Sequence, residues 1–215
     1  MSIIGSTECT CSICGATNEY PTLISTNTFG GTADLDLRPP EMYRGTMDTW
    51  LQECPECGYV SAQVSNQSGV TREWLQEEKY VTCDGMASDL AKRFYRYYLI
   101  CREEDRPGDS FHAILHAAWA CDDEGDAEGA VHCRKLALPL ADKVIAEKPE
   151  DVDTYKLVKA DIMRRAGMFE EMVREYAGVR FDGLLDQILA FQIGKAKAKD
   201  DACYRISDVK ESNTV

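Results

Sequence analysis

One cysteine motif occurs twice in the N-terminal part of this chain and decides its fold: Cys11-Ser12-Ile13-Cys14-Gly15 and Cys54-Pro55-Glu56-Cys57-Gly58. Each copy places two thiols on one tight turn, so both sulfurs can point at the same atom. The glycine that follows permits a positive φ and lets backbone N–H groups approach the sulfurs. Four thiolates close a tetrahedron around Zn²⁺ with Zn–S distances of about 2.3 Å. The sequence therefore predicts one structural Zn²⁺ per chain on four ligands: Cys11, Cys14, Cys54 and Cys57.

Other interpretations of these cysteines stay open at this stage. Cys9 lies two residues before Cys11 and could replace it as a ligand, although the Cys-x-x-Cys-Gly match favours Cys11. Free core thiols, iron in place of zinc, or a redox pair are further alternatives. A redox pair would sit where a strand leads into a helix of a βαβ unit, and the pattern around the motifs is not of that kind.

Composition and the first residues indicate the compartment. The chain has 215 residues and ten cysteines, a fraction of about 5% that is too low for a disulfide scaffold. Residues 1–9 contain no basic segment followed by an apolar run, and no stretch approaches the ~18 apolar residues of a membrane span. We expect a cytoplasmic protein with no membrane partner, where paired cysteines indicate metal more often than disulfide.

The chain divides into four zones, which predict an α+β fold that is predominantly α. Residues 1–66 read as a small β module of the zinc-ribbon kind, with strands at 20–27, around Leu35 and Leu37, and at 59–64. The other zones are a bridging helix and linker at 67–85, a helical domain at 86–199 and a flexible tail at 200–215.

The helical domain contains an internal repeat. Residues 125–131 match residues 167–173 at an offset of 42 positions, and each copy begins with a glycine between two helical segments. The unit is therefore an αα-hairpin, and the domain is predicted to be an array of such hairpins.

Two histidines form the second candidate site. His112 and His116 are spaced i and i+4 on one predicted helix, a spacing that can chelate a metal. Ala113 follows His112 where the metalloprotease motif requires glutamate, so that motif is absent. Together with a carboxylate such as Asp109, the two histidines could serve an enzyme site between the β module and the helices.

Charge argues against nucleic acid as the partner. The chain has 37 acidic and 24 basic side chains, for a formal net charge of −13. Residues 1–85, which contain both cysteine motifs, hold 12 acidic and 4 basic side chains. Zinc ribbons that bind DNA or RNA carry a basic face instead.

Three features together resemble a known family. The second motif continues as Cys54–Tyr59, the Gly- and Asp-rich segment 30–40 precedes it, and Arg164–Glu171 follows within a helical hairpin. This combination resembles the uncharacterised bacterial domain-of-unknown-function family 2225, over about residues 8–195. The resemblance implies a zinc-ribbon-like N-terminus and tetratricopeptide-like helices, but no agreed activity.

The helices also resemble tetratricopeptide repeats directly. Small residues stand where that repeat places them, at Ala118, Gly125, Ala130 and Ala137. The second copy departs from the pattern at Met172, and the offset of 42 exceeds the usual ~34 residues.

These observations favour a cytoplasmic adaptor or scaffold with a structural Cys₄ zinc site, rather than an enzyme. Stacked hairpins form a concave surface, so the expected partner is a protein or peptide bound by the helical array. The enzyme site at His112 and His116 is the first alternative, and a nucleic-acid-associated zinc protein is the second. A homo-oligomer is also compatible with the sequence.

Overall fold

The N-terminal part of the protein is built around two small antiparallel sheets. In the computed structural model, which describes residues 2–147 and 149–212, strands β1 (Ile3–Thr10) and β2 (Thr17–Ser25) form the first pair. The turn between them contains the first cysteine motif. Strands β3 (Gln52–Glu53) and β4 (Val60–Ser61) form the second pair and enclose the second motif in the same way.

Helices make up most of the remaining chain, so the fold is α+β and predominantly α, as the sequence predicts. Their bounds are α1 (Glu41–Arg44), α2 (Glu78–Thr82), α3 (Asp89–Glu103), α4 (Pro107–Glu124), α5 (Ala127–Glu147), α6 (Val152–Arg165), α7 (Phe169–Tyr176), α8 (Leu184–Lys197) and α9 (Ile206–Ser212). Short 3₁₀ turns lie at Met47–Thr49, Trp74–Gln76, Cys83–Gly85 and Pro149–Asp151. Among the described residues, none of these helices combines the length and the apolar run that crossing a bilayer requires.

Two helical hairpins end their first helix in the same way. Gly125 follows α4 with φ 74°, and Gly167 follows α6 with φ 73°. The next N–H in each case bonds back over five residues, from Asp126 to Cys121 at 2.9 Å and from Met168 to Met163 at 3.0 Å. Both turns have the hydrogen bond of a Schellman motif, which a glycine at positive φ makes possible.

The segment around Leu35 and Leu37 differs from the strand expected there. Asp34 makes one isolated bridge to Arg205, and the backbone then turns, with Leu37 at φ 67°. Leu37 is 43% exposed, whereas Asp36 is 1% exposed. The acidic and apolar residues alternate as the sequence shows, but no regular strand pairs with this segment in the described residues. The buried acidic side chains are instead hydrogen-bonded to side chains from other parts of the chain.

One hydrophobic core joins the cysteine motifs to the helices. It extends from Cys11 through α3, α4 and α5 as far as Ile162 on α6. The boundaries predicted near residues 66 and 85 both fall within the stretch that this core spans. The N-terminal part is therefore packed directly on α3 and α4 through shared apolar side chains.

A second, smaller core lies between α6, α7 and α8 and includes Leu35 and Val209. Val209 is on α9, so part of the segment predicted as a flexible tail, residues 200–215, is packed against the protein. Residues 213–215 of that segment lie outside the described residues.

Candidate metal centre

Four sulfur atoms come together between the two small sheets. The Sγ atoms of Cys11 and Cys57 are 3.7 Å apart, and those of Cys14 and Cys54 are 3.6 Å apart. All four lie within 4.8 Å of one another, and only Cys14 is more than marginally exposed. These four cysteines form a group that could hold a metal ion.

The two motifs fold into nearly identical knuckles, which explains how their sulfurs converge. Within each, the glycine N–H bonds to the carbonyl of the first cysteine, at 2.9 Å for Gly15 and 2.8 Å for Gly58. Both glycines have φ 75°. Because the conformation is set inside each five-residue motif, the sequence alone is enough to predict it.

The surroundings act differently on the individual thiols. Burial raises the pKa of Cys11 and Cys57, whereas a hydrogen bond from the backbone N–H of Ala16 lowers the pKa of Cys14. A divalent cation reverses the effect of burial, because a coordinating thiol is deprotonated outright. The donor set therefore suits a thiophilic metal ion such as zinc or iron.

Helices α2 and α3 and the loop after β4 hold the knuckles in place. The hydroxyl of Tyr80 donates to the carbonyl of Gly58 at 2.6 Å, and the Arg96 guanidinium contacts the Glu53 carboxylate at 2.6 Å. On the other side, the Ser12 N–H bonds to a carbonyl of the loop that follows β4, at 2.9 Å. Both knuckles are thus attached to the rest of the chain by hydrogen bonds as well as by the shared core.

Cys9 lies beside this group without belonging to it. It is on β1, where its neighbour across the sheet is Asn18, and the four converging sulfurs include Cys11 instead. The geometry thus favours Cys11 over Cys9 at the position that the sequence left open.

The two histidines lie at a different place, on the wall of a cavity of about 280 Å³ between residues 36–50 and helices α4 and α6. We call it the aromatic cavity; its rings include Tyr43, Trp50, His112, His116, Trp119 and Tyr155. The ring centroids of His112 and His116 are 6.2 Å apart, and His112 Nε2 is 3.4 Å from the Tyr155 hydroxyl. Within the described residues, the four cysteines are the only group of three or more His, Cys, Asp or Glu side chains arranged to hold a metal ion.

Asp109, the carboxylate proposed to act with these histidines, does not line the cavity. Its Oδ2 is 2.8 Å from a guanidinium nitrogen of Arg106, and its side chain is about half exposed. Asp36 is the carboxylate that the structure places at the cavity.

Asp36 belongs to a buried ionic cluster that sequence reasoning missed. It accepts hydrogen bonds from Trp119 Nε1 at 2.9 Å and from Arg165 at 3.2 Å. Arg165 also donates to Asp122 at 2.8 Å, and Arg134 binds both oxygens of the same carboxylate. We use the name ionic cluster for these residues together with Arg38, which pairs with Asp122 and Asp123.

The ionic cluster joins three separate parts of the chain: the segment before α1, helices α4 and α5, and the end of α6. One signal in the sequence could have indicated the ionic cluster. The alternation of acidic and apolar residues at 34–38 is also compatible with buried carboxylates that have basic partners, and not only with a strand.

Comparisons with protein families, with curated proteins and with solved structures gave no match for this chain.

Proposed function

We propose that this protein is a zinc-stabilised adaptor for protein–protein interaction. A structural Zn²⁺ holds the N-terminal part in shape, and the helical array binds a protein or peptide partner. The Sγ–Sγ distances of 3.6 and 3.7 Å support the metal, because a tetrahedral Zn–S₄ centre has edges of about 3.8 Å. Four thiolates complete the coordination shell, which is the arrangement of structural rather than catalytic zinc.

Metal analysis tests the identity and role of the ion. We expect about one zinc per chain in the purified protein and loss of that zinc in Cys54→Ser. Cys203→Ser is the matched control, because Cys203 is exposed and lies outside the four-cysteine group. Full retention of zinc in Cys54→Ser, or iron in place of zinc in the wild type, would contradict the zinc assignment.

The observation that carries the adaptor role is a groove of about 430 Å³ between α7 and α8. Val173 of α7 faces Leu189 and Ile193 of α8 across it, which makes an apolar floor. Arg180 and Lys197, both exposed, also line it. An apolar floor beside two basic side chains fits an amphipathic partner segment that carries acidic residues.

The acidic side chain of the groove is already engaged. Asp186 Oδ1 accepts a hydrogen bond from the backbone N–H of Phe181 at 3.1 Å. Arg180 is engaged as well, because its Nη1 donates to the carbonyls of Ala177 and Val179, but Arg180 and Lys197 together outweigh the single negative charge of Asp186. We take these two positive charges as the ones that select the partner, on a chain whose formal net charge is −13. We accordingly expect salt to weaken binding of the partner.

A pair of variants of α8 tests the adaptor role. Ala190 lines the groove and is exposed, so Ala190→Glu adds a negative charge where the acidic partner would lie. Gln187→Glu adds the same charge to an exposed position of α8 that does not line the groove. In pull-downs from the organism of origin, we expect one protein to be retained by the wild type and by Gln187→Glu, but not by Ala190→Glu. Equal retention by all three baits, or none by the wild type above an unrelated bait, would contradict the proposal.

We also propose membership of the domain-of-unknown-function family 2225 and a tetratricopeptide-like origin for the hairpins. The Cys54–Tyr59 motif and the 30–40 segment support the first. The matched turns at Gly125 and Gly167 support the second. An alignment of family members tests both, since it should retain the four cysteines and both turn glycines.

A further inference from the structure

The aromatic cavity has rigid walls before any ligand arrives. The ring centroids of Tyr43 and Trp50 are 5.1 Å apart, those of Trp50 and His116 are 5.0 Å apart, and those of His116 and Trp119 are 4.7 Å apart. These separations lie in the range in which aromatic rings attract one another in tilted or edge-on arrangements. The contacts join the segment before α3 to helix α4, so the wall is assembled from both parts of the chain and fixed by ring packing.

His116 adds a polar group to this wall. Its ring contacts Trp50, Phe94 and Trp119, and within the described residues it makes no hydrogen bond. Burial, with a smaller contribution from the charge of His112, lowers the pKa of His116 to about 3. The imidazole is therefore neutral at pH 7 and has one N–H donor and one nitrogen acceptor.

The cavity provides no free charge for an ionic ligand. Among the described residues that line it, Asp36 is the one Asp, Glu, Lys or Arg side chain. That carboxylate already accepts hydrogen bonds from Trp119, Arg165 and the backbone N–H of Arg38. A charged ligand would lose its hydration without gaining a partner, so the cavity favours a neutral one.

The volume indicates the size of the ligand. An engineered protein cavity of about 150 Å³ is large enough to bind benzene. The aromatic cavity, at about 280 Å³, is close to twice as large. Two fused rings fill such a space, whereas a nucleotide or a longer peptide exceeds it.

We propose that the aromatic cavity is a binding site for a neutral, fused bicyclic heteroaromatic ring of the indole or purine type. The ring stacks against the aromatic wall and exchanges a hydrogen bond with His116. This site is separate from the groove between α7 and α8, and the inference does not depend on the adaptor role.

Calorimetry and ligand-observed NMR with indole and adenine test the site on the full metal-loaded chain. We expect the wild type to bind at least one of the two rings. His116→Phe keeps an aromatic ring at this position and removes both nitrogens, so it should weaken binding about 5- to 10-fold, as expected from the loss of one hydrogen bond. His132→Phe is the matched control, because His132 lies on α5 near Tyr95 and does not line the cavity.

A second variant keeps the test decisive if His116→Phe fails to fold. Val158 lines the cavity from α6, and Val158→Phe puts a ring into the space while leaving His116 in place. We expect this variant to retain its metal and helical content and to lose binding. No binding of either ring by the wild type at millimolar concentration, or equal binding by the wild type and a folded Val158→Phe, would overturn the proposal.

One more probe distinguishes two sources of the ring. N-acetyl-tryptophanamide carries the indole on a peptide backbone. Binding as tight as that of free indole supports the site and assigns it to a tryptophan side chain of a partner. Binding of the free rings alone supports the site and assigns it to a small molecule.

Discussion

The metal centre and the ionic cluster both join distant parts of the chain, yet they are built in opposite ways. Each knuckle of the metal centre has its conformation fixed within five residues, and the two copies are nearly superimposable in hydrogen bonding and φ. The ionic cluster has no local motif, because Asp36, Asp122 and Arg165 are brought together only by the packing of α4 and α6 on the preceding segment.

The two sites therefore differ in the source of the free energy that stabilises them. Each knuckle is local, but the four sulfurs converge only in the folded chain, so a metal ion bound there would contribute directly to folding. The ionic cluster needs the rest of the fold first, and its charges are stable only while every partner is present. The two sites should therefore respond differently when one component is removed.

The largest expected effect is removal of the metal. Metal binding in small zinc domains contributes on the order of 10 kcal/mol to folding, comparable to the whole stability of an ordinary domain. Because the cysteines share a core with α3 and α4, we expect a chelator to lower the melting temperature of the whole protein and to red-shift tryptophan emission. Thermal unfolding followed by circular dichroism and fluorescence measures both.

Hydrogen exchange shows how far this effect extends. The amides of α7 and α8, which belong to the second core, should lose less protection than those of α3 and α4. An unchanged melting temperature after complete removal of the metal would show that the helices fold independently of the knuckles. That result would contradict a direct contribution of metal binding to folding.

The next effect is expected in the ionic cluster. Asp122→Asn removes the charge that faces Arg134 and Arg165, whose side chains are 2% and 7% exposed. Breaking a buried ion pair on one side costs about 3 kcal/mol or more, since the partner charge stays buried. Asp142→Asn is the matched control; Asp142 pairs with Lys159 but is 60% exposed, so it should cost less than about 1 kcal/mol. Urea denaturation measures both, and equal losses would contradict the prediction.

The contribution of Asp122 to the free energy of unfolding should also depend on pH, with a definite sign. Burial alone raises the pKa of Asp122, but hydrogen bonding and charge from Arg134, with the charge of Arg165, outweigh it and lower the pKa. The stabilisation is therefore fully present above the unfolded pKa of about 3.9 and is lost as the pH falls through the folded value. We expect the stability curves of wild type and Asp122→Asn to converge in acid, and parallel curves would contradict this.

A further effect is expected at His116, which lines the aromatic cavity, and it appears only as the pH falls. Its folded pKa of about 3 lies below the ordinary value of 6.5. Between these values the unfolded chain takes up a proton that the folded chain does not, so stability falls as the pH falls. The slope for one group is at most about 1.4 kcal/mol per pH unit. His116→Phe should lack this contribution, and urea denaturation of both proteins from pH 7 into the acid range, in steps of about one pH unit, measures the difference.

The smallest effect concerns local turns. Gly125→Ala and Gly167→Ala each force an alanine to positive φ and should cost about 1 kcal/mol. Gly108→Ala is the control, because Gly108 lies in α4 without positive φ and with open space at its Cβ position, so it should stabilise by about 0.5 kcal/mol. If the two hairpins are equivalent, the two costs agree within the error of urea denaturation.

The knuckles and the helices could be predicted because their determinants are local. The spacing of Cys11 and Cys14 and the glycine that follows fix a turn. The glycines at 125 and 167 end α4 and α6 at positive φ. The choice of metal, zinc or iron, is not contained in that local geometry.

The ionic cluster and the aromatic cavity could not be predicted in the same way. A carboxylate that is paired with a buried arginine can be as deeply buried as a leucine. Asp36 is therefore buried and Leu37 exposed, the opposite of what a half-buried strand would give. His112 and His116 were recognised as a pair, but Tyr155 and Trp50 reach them from elements 43 and 66 residues away along the chain. Such contacts depend on how the helices pack, so no regular spacing of residues in the sequence indicates them.

The bond between Thr32 and Ser207 spans 175 positions, and Asp34 pairs with Arg205 beside it. On the ribosome, residues 32–34 emerge long before their partners are synthesised. Both knuckles are complete once residue 58 has emerged, but the segment between them must wait until residue 207 has left the exit tunnel. A nascent chain that stalls before that point carries both cysteine knuckles but leaves residues 32–34 without the partners that they have in the completed fold.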